Sequence, residues 1–276
     1  MKKIICLVLI TISILTCNEA AAVNGYGNFI GEYADRYIAY AKKNKDMNER
    51  EVLIRVNLGL DHRNYKDVIV IEHPESTSVF VNKHYQLPLK YKPDHLVAVS
   101  KKYAQGGVML RSDCYEAFLS MSKDMEQQGM HLYIKAGYRV NRKRTGGDSL
   151  WYAQPGHSEH QTGLAFDLRK KNVTYKTLGE YDYEKTREYD WLCENAYRYG
   201  FILSYPSGKS DITGFGFEPW HWRYVGIGIA TDMKRMGVST YQEYWATYLI
   251  QDSIPASAPT SPRHLKKHGN LLVRKA

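Results

Sequence analysis

Residues 155–168 read Pro-Gly-His-Ser-Glu-His-Gln-Thr-Gly-Leu-Ala-Phe-Asp-Leu and offer a His and an Asp to a metal ion. We expect His160 on a turn, because Gly163 lets the backbone bend without a Cβ clash. The alternating residues 164–168 predict a strand that carries Asp167. A turn followed directly by a strand can bring the side chains of His160 and Asp167 to one point.

A second stretch, residues 217–225, reads Phe-Glu-Pro-Trp-His-Trp-Arg-Tyr-Val and supplies what the first one lacks. It offers His221 as a further ligand and Glu218 as a spare carboxylate. Two histidines and one aspartate, His160, Asp167 and His221, leave the fourth position of a Zn²⁺ ion open for water, as in catalytic zinc sites. Glu218 is then available to take a proton from water and hand it to a leaving amine. The sequence therefore predicts one catalytic zinc ion.

Further residues near the predicted ligands are candidates for contacts with a substrate. Arg139 follows the strand predicted over residues 132–136 and is expected either to steady a developing oxyanion or to hold the scissile carbonyl. Ser158 can donate to a substrate carboxylate, and a local turn hydrogen bond is an equally good interpretation of it. Gln161 belongs to the same expected substrate-binding set. His157 is left outside the ligand set because it would have to displace the aspartate.

These motifs resemble those of one enzyme family. Residues 158–167 match the S-x-H-x-x-G-x-A-x-D motif of the VanY-type D-alanyl-D-alanine carboxypeptidases, and residues 218–221 match their E-x-x-H. Residues 137–139 look like the strand-end G-Y-R of that family, and the likeness extends over roughly residues 78–237. The resemblance implies a Hedgehog/D,D-peptidase-like fold, bound zinc, an extracellular location and cleavage of peptidoglycan stem peptides at a terminal D-amino acid.

The chain departs from the family's pattern near the expected substrate. The family usually has Ser after G-Y-R and Gln a few residues later, where this chain has Val140 and Arg144. We expect Arg144 to bind a terminal carboxylate, because a guanidinium pairs with a carboxylate through two hydrogen bonds. Ser204 stands where the family often has Arg before Tyr-Pro. These departures lie at the substrate end of the expected site, and the residues of the metal motif match the family's pattern.

Three activities remain open at this point within the same chemistry. D,D-carboxypeptidase activity comes first, followed by L,D-carboxypeptidase activity on tetrapeptide stems and then by wall endopeptidase activity. The alternative to an enzyme is a non-catalytic module that binds peptidoglycan or zinc. Glu218 argues against that alternative, because a binding module needs no general base.

The predicted elements indicate an α+β fold. Helices and strands do not alternate regularly, which favours a central, mainly antiparallel sheet flanked by helices over a doubly wound fold. Residues 23–58 have apolar residues at three- and four-residue spacing, with a polar break at residues 44–48, and predict an N-terminal helical extension. The expected division is a signal peptide 1–22, the extension 23–77, a catalytic domain 78–250 and a basic disordered tail 251–276.

The N-terminus predicts export from the cytoplasm. Lys2 and Lys3 precede an apolar run over residues 4–15, and three alanines at residues 20–22 form a cleavage site. We favour plain secretion over a lipoprotein attached at Cys17, because the Thr before that Cys is atypical. The apolar run is too short to span a bilayer, so we expect no transmembrane helix in the mature chain.

Charge and cysteine content bear on partners. A net charge of +9 suits anionic wall polymers. No basic, aromatic-rich groove motif indicates nucleic acid, so that partner is not expected, and the protein is expected to be a monomer. Beyond the leader only Cys114 and Cys193 remain. Secretion permits a disulfide between them, and two buried thiols are the other interpretation.

Overall fold

The computed structural model describes residues 29–140, 148–171 and 180–250 of the chain. The predicted signal peptide, Cys17, Arg144 and the predicted tail lie outside the described residues. The helices are α1 (Ala34–Lys43), α2 (Glu49–Asn57), α3 (Ser112–Glu126), α4 (Arg187–Asn195), α5 (Ser210–Thr213), α6 (Ile227–Met236) and α7 (Tyr241–Tyr248). The strands are β1 (Ile69–Val70), β2 (Tyr85–Gln86), β3 (Leu96–Ala98), β4 (Met109–Arg111), β5 (Ile134–Ala136), β6 (Ala165–Leu168), β7 (Phe201–Leu203) and β8 (His221–Tyr224).

A four-stranded sheet in the order β5-β6-β8-β7 forms the centre of the fold. Each neighbouring pair in it is antiparallel, which confirms the predicted α+β class. In the register of β6 and β8, Asp167 lies directly opposite His221. Directly opposed residues of antiparallel strands have Cβ atoms about 4.5–5.5 Å apart. The sheet therefore places two of the predicted ligands side by side.

Helix α3 covers one side of this sheet with the apolar face that the three- and four-residue spacing of Phe118, Met121 and Met125 predicts. Phe118, Met121 and Met125 are fully buried, and the Phe118 ring meets Phe166 of β6 edge-on at 5.3 Å. Each such burial contributes about 1.5–3 kcal/mol. This packing makes β6 a rigid platform for the site.

The start of α3 differs from the predicted cap. Ser112 and Asp113 are residue types that cap helices, so the sequence predicts one of them as the cap, but Arg111 occupies the N-cap position and no side chain caps the helix there. The reason is an ion pair: the Arg111 guanidinium donates from Nε to Asp113 Oδ1 at 2.8 Å. Asp113 therefore lies in the first turn, where a negative charge favours the helix dipole.

Helix α2 packs into the same core as the C-terminal helix α7. Asn48 and Glu51 form a capping box at the start of α2, directly after the predicted polar break. Ile54 and Leu58 then share a buried cluster with Trp245 of α7. This packing joins the extension to the C-terminal part of the fold. The boundary at residues 77 and 78 stays a prediction.

Helix α6 was missing from the expectations. It begins after Gly226, whose φ of 85° lies in the left-handed region, and no side chain caps it. Within α6 only Ala230 and Met233 are buried, while Ile227 is exposed, so its apolar residues do not mark one face. None of the helices in the described ranges combines the length and the apolar run that a membrane span requires.

The two cysteines of the described chain are free thiols, not a disulfide. Cys114 is buried on α3, as predicted, whereas Cys193 on α4 is exposed. The expectation of two buried thiols is therefore wrong for Cys193, because its apolar neighbour Leu192 turns inward while Cys193 lies at the surface of the helix.

Candidate active site

The structure brings together the three predicted metal ligands. One ligand atom each from His160, Asp167 and His221 lies within 4.8 Å of the other two. Asp167 Oδ1 is 3.2 Å from His160 Nε2 and 3.0 Å from His221 Nδ1. The histidines are 2% and 3% exposed. The buried cluster thus offers two imidazole nitrogens and one carboxylate oxygen. This donor set fits zinc.

Local backbone geometry delivers His160 to this cluster. It lies on the 3₁₀ helix Glu159–Thr162, which ends at Gly163 with φ 73°. A Cβ at Gly163 would also lie only 3.1 Å from a methyl carbon of Leu96, so glycine is required by both conformation and space. The predicted sequence of turn, glycine and strand is confirmed.

The ring nitrogens that face away from the cluster have buried partners. His160 Nδ1 donates to the carbonyl oxygen of Gly137 at 2.8 Å, and His221 Nε2 donates to Glu159 Oε2 at 2.9 Å. These partners fix the tautomers, because each histidine then turns its other nitrogen toward Asp167. Sequence reasoning missed Glu159, although a Glu beside a buried ligand was a signal worth following.

Burial and ion pairing set the charge state of the ligands. Burial lowers the pKa of His160. Burial opposes a charge on His221 as well, but its hydrogen bonds to Asp167 and Glu159 raise its pKa to about 10. Against the effect of burial, the two histidines hold the pKa of Asp167 well below its usual range. Asp167 is therefore an anionic oxygen donor at neutral pH.

Glu218 lies beside the ligand cluster. Its Oε2 is 3.8 Å from His221 Nδ1, and its side chain is 13% exposed. Its backbone N–H donates to Tyr205 and its carbonyl accepts from His221, so the turn before β8 is fixed. Burial raises the pKa of Glu218 to about 7. This placement suits the predicted general base, and the role itself stays a prediction.

The cluster opens into a cleft of about 790 Å³. Arg139, Ser158 and Gln161, all predicted to contact a substrate, line it. The positive charge of Arg139 adds to the effect of burial on the pKa of His160 and opposes the effect of burial on the pKa of Glu218. Aromatic side chains form much of the remaining wall: Tyr138, Trp151, Tyr152, Tyr205, Phe215 and Trp220.

Ser158 and Gln161 also hold the loop that carries the first ligand. They form a capping box at the 3₁₀ helix, in which each side chain accepts from the backbone N–H of the other. Gln161 Oε1 also accepts from the N–H of Gly156 at 2.9 Å. The local turn bond expected as an alternative for Ser158 is therefore present. Their contacts with a substrate stay predictions, as does that of Arg144, which lies outside the described residues.

Gly137→Ala is expected to destabilise the protein and loosen the metal site. A Cβ at Gly137 would collide with the carbonyl oxygen of Met109 and lie 3.0 Å from Val108. Overpacking of this kind costs about 1–3 kcal/mol, and any shift of Gly137 moves the partner of His160. Chemical denaturation and zinc titration measure the two effects. Gly106→Ala is the matched control, since its Cβ would meet nothing within 4 Å; equal stability of the two variants would contradict the prediction.

Comparison with known proteins agrees with the geometry of the site. The family model VanY, D-alanyl-D-alanine carboxypeptidase, matches residues 107–227. A D-alanyl-D-alanine carboxypeptidase of Enterococcus faecium is 30% identical over 221 residues, which make up 73% of this chain and 69% of that protein. The chain belongs to the VanY family of D-alanyl-D-alanine carboxypeptidases. As a VanY-family protein it is an enzyme, which argues against the non-catalytic binding module.

Solved structures extend the VanY comparison to fold and metal. A point mutant of the vancomycin resistance D,D-pentapeptidase VanY, solved in complex with Zn(II), is 30% identical, with a TM-score of 0.50, over 61% of this chain and 98% of that chain. The L,D-carboxypeptidase LdcB is 28% identical, with a TM-score of 0.56, over 66% of this chain and 92% of that chain. Together with the His160–Asp167–His221 cluster, these structures confirm the predicted fold and the zinc cofactor.

Proposed function

We propose that this protein is a secreted D,D-carboxypeptidase that hydrolyses the terminal D-alanyl-D-alanine bond of peptidoglycan stem peptides. The observation that carries the proposal is the buried cluster of His160, Asp167 and His221 at the base of a cleft, with Glu218 beside it. The names of the relatives support the substrate class. A zinc ion in such a site supplies Lewis acidity, which polarises a carbonyl group and lowers the pKa of water.

The residues of the chain supply the remaining parts of the reaction. Glu218 takes a proton from the attacking water at its carboxylate and returns it to the amine of the departing D-alanine. Arg139 lines the same cleft and stabilises the negative charge that develops on the carbonyl oxygen. The ring of Tyr205 lies 4.9 Å from that of His221, and such rings exclude bulk water, which strengthens the electrostatics of the site.

The cellular location belongs to the same proposal. The charged and apolar pattern of residues 1–22 supports export through a signal peptide. Stem peptides lie outside the cytoplasmic membrane, so export brings the enzyme to its substrate. The net charge of +9 supports an additional attraction to anionic wall polymers.

L,D-carboxypeptidase activity on tetrapeptide stems is the second candidate. The observation in its favour is the likeness to LdcB, whose TM-score of 0.56 exceeds the 0.50 of the D,D-pentapeptidase. The same ligands and the same base would serve, because the two reactions differ in the bond presented and not in the hydrolysis itself.

Mass spectrometry of stem tripeptides, tetrapeptides and pentapeptides after incubation with the zinc-loaded protein distinguishes the two activities. We expect the pentapeptide to lose one D-alanine and the tetrapeptide to remain intact, with no product after chelator treatment. Conversion of tetrapeptide to tripeptide with intact pentapeptide would establish L,D activity instead. Absence of any cleavage by zinc-loaded protein would refute both candidates.

A further inference from the structure

Glu159 is a buried carboxylate that the proposed reaction does not use. It is 3% exposed and lies next to His160 in the chain, yet its side chain contacts the other histidine ligand. Its Oε2 is 2.9 Å from His221 Nε2, while Asp167 Oδ1 is 3.0 Å from His221 Nδ1 on the opposite side of the ring. The imidazole of His221 is therefore held between two carboxylates, and only one of them belongs to the ligand cluster.

Two buried side chains hold Glu159 in place. The hydroxyl of Ser204 donates to Glu159 Oε2 at 2.7 Å. Arg223 Nη1 lies 3.6 Å from Glu159 Oε1 and has no hydrogen-bond partner among the described residues. The Arg223 guanidinium therefore balances the negative charge of Glu159, although the two groups form no hydrogen bond.

Arg223 is itself anchored at several points. It is 0% exposed, and its Nη2 donates to the carbonyl oxygens of Thr77 and Val79 at 3.2 and 2.9 Å. Its Nε donates to the carbonyl oxygen of Tyr224 at 2.8 Å. The guanidinium therefore cannot move away from Glu159 without breaking backbone contacts.

The cost of this arrangement points to a role beyond stability. Burying a carboxylate and a guanidinium carries a desolvation penalty that their attraction offsets only with good geometry. Here the charges are 3.6 Å apart and the Arg223 Nη1 group is unsatisfied. An apolar pair would fill the same space at lower cost, whereas only an acceptor can hold the N–H of His221.

We propose that Glu159 is a positioning residue for the metal ligand His221, and that Ser204 and Arg223 keep Glu159 in place. Glu159 accepts the hydrogen of Nε2, so the lone pair of Nδ1 points toward Asp167 and His160. Partners of this kind set the orientation and basicity of a ligating histidine. The inference rests on the proposed function only in that the cluster binds zinc; it does not depend on which peptide bond is cut.

Zinc affinity of Glu159→Ala and Glu159→Gln tests the proposal. Loss of such a partner costs about 10–100-fold in metal affinity, and we expect a rise of that size in the zinc Kd for Glu159→Ala. Glu159→Gln is expected to lose less, because its amide oxygen can still accept from His221 Nε2. Competition with a chromophoric chelator measures the Kd. The Co²⁺-substituted protein gives a second readout, since the visible spectrum of Glu159→Ala should shift.

Two further variants separate positioning from stability. Asp61→Asn is the control, because Asp61 is a half-buried carboxylate that accepts two hydrogen bonds from Arg36, at 2.8 and 2.7 Å, among the N-terminal helices. It should lower the thermal midpoint and leave the zinc Kd unchanged. Ser204→Ala retains Glu159 and removes only one donor, so it should raise the zinc Kd less than Glu159→Ala. If Glu159→Ala does not fold, the zinc Kd of Ser204→Ala tests the positioning role in its place.

The outcomes are distinct for the two proposals. An unchanged zinc Kd and an unchanged Co²⁺ spectrum in Ser204→Ala and in any folded Glu159 variant would overturn the positioning role. Suppose that the parent protein binds zinc but releases no D-alanine from any stem peptide, while the Glu159→Ala variant binds zinc more weakly than the parent. The proposed function then fails and the positioning role stands.

Discussion

Glu218→Gln is expected to retain nearly all of its zinc and to release D-alanine about 10²–10⁴-fold more slowly than the parent protein. The carboxylate lies beside the ligand cluster, not in it, since its Oε2 is 3.8 Å from His221 Nδ1. The amide has nearly the same shape but cannot take a proton. The loss should therefore appear in kcat, with a smaller change in KM.

The measurement combines steady-state release of D-alanine with zinc content per chain. Glu194→Gln, an exposed change on α4, is the matched control and should behave as the parent does. A Glu218→Gln protein that binds zinc normally and hydrolyses the peptide at the parent rate would refute the base assignment.

Asp167→Ala is expected to abolish stoichiometric zinc binding and to reduce hydrolysis to the background rate. Asp167 supplies the only carboxylate of the cluster that the described residues form, and its Oδ1 lies between the two histidines. Removing it leaves two imidazole donors and no carboxylate ligand to balance a divalent cation. Two protein ligands fall short of the three that catalytic zinc sites use.

Metal analysis after dialysis, together with the peptide assay, measures the effect of Asp167→Ala. Chelator treatment of the parent protein should reproduce the loss, and added zinc should restore activity to the parent but not to the variant. Asp113→Ala is the control, because it removes a carboxylate that pairs with Arg111 away from the cleft; it should keep its zinc. One firmly bound zinc per chain in Asp167→Ala would show that the ligand set is different.

Much of the metal cluster could be predicted because it depends on short-range chain geometry. His160, Gly163 and Asp167 lie within one turn and one strand, so their spacing carries the signal. Glu218 and His221 likewise lie at the two ends of the short turn that leads into β8. Helix α6 was not predicted, because only two of its residues are buried and two residues do not make a clear apolar periodicity.

The sequence alone determined the donor types, the turn at Gly163 and the spare carboxylate Glu218, because these depend on neighbours in the chain. Only the tertiary structure decided how they meet: the pairing of β6 with β8 sets Asp167 opposite His221. It also decided the role of Glu159, whose contacts with His221 and Ser204 span 62 and 45 residues. A buried hydrogen bond between distant segments leaves no periodicity in the sequence, because it arises only when the core closes around it.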